Sequence, residues 1–170
     1  MELRETIEGT RLVAFLHSVR QRNEERPVAF LCIGTDRSTG DALGPLVGTG
    51  LRAAGFELVY GTLEKPCDAH TLPSVMEALE REKALRPDML VIAVDAALGR
   101  AESVGKFQVT NEPMLPGLSL QRDLPAVGDY GVAGIVNVTG PRPYAALQNT
   151  SLFRVMTMAD TIVAAIRTTW

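Results

Sequence analysis

Val28-Ala-Phe-Leu-Cys-Ile-Gly-Thr-Asp-Arg-Ser-Thr-Gly-Asp-Ala-Leu-Gly-Pro45 is a strand, a glycine-bounded loop and the start of a helix in eighteen residues. Residues 28–33 are an unbroken apolar run between Pro27 and Gly34. Such a run reads as a central parallel strand buried on both faces. The stretch 43–54 then reads as a helix stopped by Gly55. A second run, Met89-Leu-Val-Ile-Ala-Val-Asp-Ala-Ala97, repeats the pattern and carries Asp95 at the end of its apolar stretch. In an open α/β sheet, residues that follow parallel strands line the crevice where ligands bind. Asp41 and Asp95 both fall there.

Working outward, Leu12, Phe15, Leu16 and Val19 have helical spacing, in a helix of about 14 residues after Gly9-Thr10. Residues 57–60 read as a short strand and 61–71 as a loop. Leu72, Val75, Met76 and Leu79 mark the next helix, with Thr71 as its N-cap and Pro73 in its first turn. Residues 104–109 alternate weakly and suggest an edge strand. The proline- and glycine-bearing stretch 110–128 reads as a long loop, and 130–138 as a further strand. Leu152, Val155, Met156, Ala159, Ile162, Val163 and Ile166 mark a last helix. This order predicts a three-layer α/β/α fold with a mainly parallel central sheet. No linker or repeat divides residues 1–170, so one domain is expected.

Bulk properties exclude some functions. The formal net charge is −3, and no dense Lys/Arg cluster offsets it, so no nucleic-acid partner is expected. No apolar run reaches the roughly 18–20 residues of a membrane span. The first residues, Met1-Glu-Leu-Arg-Glu5, do not read as a signal peptide. Two scattered cysteines, Cys32 and Cys67, imply no disulfide framework, and a reducing cytoplasm is the expected compartment.

Asp41 has two readings. Asp is a common N-cap, and the helix dipole favours its ionised form. It is also a carboxylate in the predicted crevice. Asp95 is harder to assign a merely structural part, because a carboxylate after six apolar residues must find partners. Bonding to neighbouring loop amides is its structural alternative. Two carboxylates brought together cannot both ionise cheaply; one proton affinity rises, and the pair can activate a water and protonate a leaving amine. The loop 34–40 is no Walker A cradle. The motif needs four residues between its glycines and then Lys; here there are five, followed by Asp41. No G-x-S-x-G is present, and Ser38 has no evident His partner. Cys67 and His70 are three apart, with no second pair to complete a zinc site. His70 reads either as a cleft residue or as a polar loop residue. Asp129 reads as a third polar group of the cleft or as a turn residue after Gly128.

These segments resemble known families. Thr39-Gly-Asp-Ala-Leu-Gly-Pro-Leu-Val47 with Val91-Ile-Ala-Val-Asp-Ala-Ala97 resembles the two catalytic segments of the spore germination protease, an atypical aspartic endopeptidase. The resemblance places Asp41 and Asp95 at its catalytic positions. The arrangement is also similar to hydrogenase-maturation endopeptidases, which have a phosphorylase/hydrolase-like fold and in which a third ligand, His, helps bind nickel. Here Val127-Gly-Asp129 lies in that region. A closer resemblance, over nearly the whole chain, is to the sporulation protein YyaC family. It is carried by 34–45 together with Leu124-Pro-Ala-Val-Gly-Asp129, Gly134-Ile-Val-Asn137 and Leu147-Gln-Asn-Thr150.

The expectation is a sporulation-associated endopeptidase. Asp41 and Asp95 would do the acid/base work on a peptide or protein substrate, and Thr35, Asp36, His70 and Asp129 would shape the cleft. No cofactor is expected; a divalent metal, if used, would take Asp41 and Asp95 as ligands. One alternative is a non-enzymatic factor that binds a peptide or partner in the same crevice. Another is a metal-binding maturation-type endopeptidase.

Overall fold

The computed structural model describes residues 4–117 and 123–170. Strands β1 (Arg4–Ile7), β2 (Val28–Cys32), β3 (Val59–Tyr60), β4 (Leu90–Gly99), β5 (Phe107–Thr110) and β6 (Tyr130–Val138) form one sheet in the order β1-β5-β6-β4-β2-β3. The ladders β2–β3, β2–β4 and β4–β6 are parallel, and β1–β5 and β5–β6 are antiparallel.

Helices α1 (Leu12–Arg22), α2 (Leu43–Ala53) and α5 (Leu152–Thr169) cover one face. They bury Leu16, Val47, Leu51 and Ile162 against Phe30, Ile92, Val94 and Val132. Helix α3 (Leu72–Leu85) covers the other face, with Leu72 and Leu79 against Leu31, Val91 and Ala93. The crossovers that leave β2 and β3 thus run on opposite faces. That makes the gap between the carboxyl ends of β2 and β4 a topological switch point, where an open α/β sheet holds its ligands.

Several expected boundaries move. β1 has no apolar run to announce it: only Ile7 of Arg-Glu-Thr-Ile is buried, and the strand exists through its ladder with β5. The strand expected at 104–109 is Phe107–Thr110, and β1 makes it an interior strand instead of an edge. β3 is only two residues long. The short helix α4 (Pro143–Gln148), for which no sequence expectation was made, starts at a proline, whose missing N–H is harmless in a first turn. Thr71 occupies the N-cap position of α3 but makes no side-chain cap. Asp68 does that work, its Oδ1 accepting from the backbone N–H groups of His70 and Thr71 at 2.9 Å each.

The main correction concerns β4. Its apolar run ends at Val94, but the strand continues through Gly99 because β6 goes on pairing with it. The β2 ladder stops at Cys32 opposite Val94, and the Ile33 N–H donates to the Val94 carbonyl. Asp95 is therefore the first residue of β4 beyond the end of β2.

Candidate active site

The chain turns sharply where β2 ends. Gly34 has φ +146°, and a Cβ built there would lie 2.0 Å from the Asp41 carbonyl oxygen. Only glycine lets the two backbones come so close. The Thr35 N–H donates to that same carbonyl at 3.1 Å, closing the loop. Gly44 repeats the device one turn on, because a Cβ there would meet the Ile33 carbonyl at 2.0 Å. Its small size serves helix–strand contact.

Asp41 sits in the middle of a 3-10 turn, Gly40–Ala42, that leads into α2. The N-cap position of α2 is Ala42, which has no capping side chain. The reading of Asp41 as that helix's cap is thereby corrected. Its residue lines a cavity of about 200 Å³ together with Asp95, Thr35, Ser38, Asp68 and Tyr144. Tertiary structure thus brings the two aspartates to one crevice.

Asp95 is 7% exposed. Its Oδ1 accepts from the Ala96 N–H at 2.8 Å and its Oδ2 from the Gly117 N–H at 3.3 Å. Burial pushes its pKa up; the two N–H donors oppose this, and the Asp41 charge adds to it, leaving Asp95 at about 7. Desolvation dominates, as expected for a carboxyl on an apolar strand. A carboxyl raised towards neutrality in this way can both give and take a proton.

The other expected residues divide. Thr35 lines the cavity; its Oγ1 accepts from the Arg37 N–H at 3.3 Å. Asp36 and His70 are exposed and do not line it. His70 lends its backbone N–H to Asp68, and that turn directs its ring outward. Asp129 is a correction as well. β6 runs parallel to β4, so its first residues lie at the amino end of the sheet, away from the crevice. There Asp129 Oδ2 accepts from the Val91 N–H at 2.8 Å, and the Asp129 N–H donates to the Val91 carbonyl at 2.7 Å.

Sequence reading did not single out Asp68, Tyr144, Gln148 or Gly117 as lining residues. Burial raises the Asp68 proton affinity, but hydrogen bonds from Thr71 and His70 outweigh it and hold the carboxyl below its ordinary value. The aspartate three residues before Thr71 was the available signal, since Asp commonly serves a helix start. Among the described residues the buried Ser38 hydroxyl oxygen has no hydrogen-bond partner, which leaves it available to a bound molecule. Cys67 adjoins the site, but burial, then Asp68, then Asp95 push its thiol to about 12, so it is no thiolate nucleophile at neutral pH. Asp41 and Asp95 are hard oxygen donors. Among the described residues, no group of three or more His, Cys, Asp and Glu could hold a metal ion. This donor set does not fit a resident nickel ion.

Residues 3–165 match the family described as protein of unknown function DUF1256. The chain is 44% identical over 161 residues to the uncharacterized protein YyaC of Bacillus subtilis strain 168, covering 91% of this chain and 77% of that protein. Its fold is similar to that of the [NiFe] hydrogenase maturation protease HycI from Thermococcus kodakarensis KOD1. The TM-score is 0.57 at 18% identity, over 90% of this chain and 99% of that one. Among the described residues, no helix is long and apolar enough to cross a membrane.

Proposed function

We propose that this chain, which belongs to the DUF1256 family, is a peptide-bond hydrolase of the aspartic endopeptidase kind, on the strength of its carboxylate pair. The observation that carries the reading is the buried Asp95 carboxyl in one cavity with Asp41, where burial and the Asp41 charge push its pKa up. The fold shared with a maturation protease supports it, and so does the resemblance to germination protease at both aspartates.

In the proposed reaction the ionised member of the pair takes a proton from water. The water oxygen bonds to the scissile carbonyl carbon, and the protonated member gives its proton to the leaving nitrogen as the C–N bond breaks. The two carboxyls end with their protons exchanged, and one proton transfer restores them. In this reaction only these side chains act, and the expected result is that cleavage persists after dialysis against EDTA. The proposed setting is the cytoplasm of sporulating cells.

Wild type, Asp41→Asn and Asp95→Asn are incubated with small acid-soluble spore proteins and with a peptide library from a spore former's proteome. Products are read by mass spectrometry. The expected result is a defined set of fragments that both variants fail to release. A folded wild type that releases nothing from either, or variants that release the same fragments, would overturn the proposal.

A further inference from the structure

Asp95 borders more than the crevice with Asp41. It also lines a cavity of about 350 Å³ that contains Arg4, Gln108, Ala97 and Leu98. A further cavity of about 300 Å³ shares Ala97, Leu98 and Gln108 with this one and reaches Arg100. The two cavities adjoin along these shared residues on one face of the sheet, making a trough whose near end is Asp95.

The sheet builds its floor. Asp95 pairs with Ala133, Ala133 with Gln108, and Gln108 with Thr6, in adjacent strands. Directly paired residues present their side chains on the same face, so these four form a row across β4, β6, β5 and β1. At roughly 4.8 Å per strand the row is about 14 Å long, which matches about four residues of extended chain. Its middle is low, because Ala133 and the neighbouring Ala97 are small. The apolar cluster beneath α3 reaches Ala133 and, among the described residues, includes no side chain of β5 or β1.

The trough offers complementary chemistry to a peptide with an acidic residue. The Gln108 side chain supplies a donor and an acceptor, and makes no hydrogen bond among the described residues, so it can serve a passing peptide group. Arg4 and Arg100 are exposed, and neither pairs with a carboxylate among the described residues. On a chain of net charge −3 these cations mark the trough as the place for an anion. A compact anion would use the cations and leave the floor empty; an extended chain uses both.

We propose that this trough binds an extended polypeptide segment whose main chain crosses Ala133 and Gln108 and whose acidic side chain pairs with Arg4, about four residues from the group at Asp95. The inference rests on the hydrolytic reading for the direction of the segment towards Asp95, and it adds a substrate preference.

The test separates binding from cleavage. Displayed random decapeptides are selected against the Asp95→Asn protein and against the Asp95→Asn/Arg4→Glu protein, and the bound sequences are compared. The expected result is Asp or Glu enriched at a fixed position with the first protein and Lys or Arg there with the second. The best acidic peptide should bind the second on the order of tenfold more weakly. Identical selections, selections without acidic enrichment, or no bound peptides would overturn the groove. Incubation of the captured peptides with wild type tests the parent reading separately. Peptides that bind through Arg4 yet stay intact count against hydrolysis and leave the groove standing. Cleaved peptides whose selection ignores Arg4 do the reverse.

Discussion

The Asp41 charge and the buried Asp95 carboxyl face one cavity, and Asp41 makes it harder for Asp95 to ionise. Burial contributes more to that difficulty than Asp41 does. The arrangement raises the proton affinity of the crevice, and it carries a cost in stability.

That cost has a definite sign. Asp95 titrates at about 7 when folded and near 3.8 when unfolded. Between these values the folded chain holds a proton that the unfolded chain has lost, so this group favours folding below pH 4 and loses that contribution as pH rises to 7. Its full size is about 4 kcal/mol. Asp95→Asn cannot ionise. Thermal melts at pH 4.5, 6 and 8 should show wild type losing stability relative to the variant as pH rises, and the variant should melt higher at pH 8.

Removing either carboxyl should silence cleavage without unfolding the chain. Asp41→Asn and Asp95→Asn should each lower the rate about 10²–10⁴-fold, with circular dichroism unchanged. Asp41→Asn should also lower the Asp95 pKa, which a carboxyl-carbon NMR titration of Asp95 would read directly.

Gly34→Ala tests the turn that brings Asp41 to the crevice. The new Cβ would press on the Asp41 carbonyl, a backbone atom that cannot rotate away. The expected loss is on the order of 3 kcal/mol, measured by urea unfolding. Cleavage per folded molecule should fall with it, because the Asp41 turn must move.

Asp129→Ala separates structure from chemistry. Val91 is fully buried, and its N–H would lose the carboxylate that accepts from it. A stability loss of about 1–3 kcal/mol is expected, again by urea unfolding. The cleavage rate of the folded fraction should stay at the wild-type level, since Asp129 lies at the opposite end of the sheet.

Much of this molecule was legible in local pattern. The apolar runs at 28–33 and 89–94, the helical spacing in 43–54 and the glycines around Asp41 follow from nearest-neighbour sterics and from the periodicity of burial. They were enough to predict the layered fold and to choose Asp41 and Asp95. Partnership decided the rest. β1 carries one buried side chain and is a strand only because β5 lies beside it. β4 outruns its apolar stretch because β6 continues to pair with it, and that makes Asp95 a strand residue with no β2 neighbour beside it, at the crevice left by the early end of β2. For Asp129, a cleft group or a turn residue by sequence, the parallel direction of β6 decided against the cleft by setting it at the far end. His70 and Asp68 share one loop, yet the turn that starts α3 puts Asp68 on the cavity and His70 outside it. Local sequence specifies which side chains an element offers; strand order, direction and length specify which of them meet, because those contacts join residues far apart in the chain.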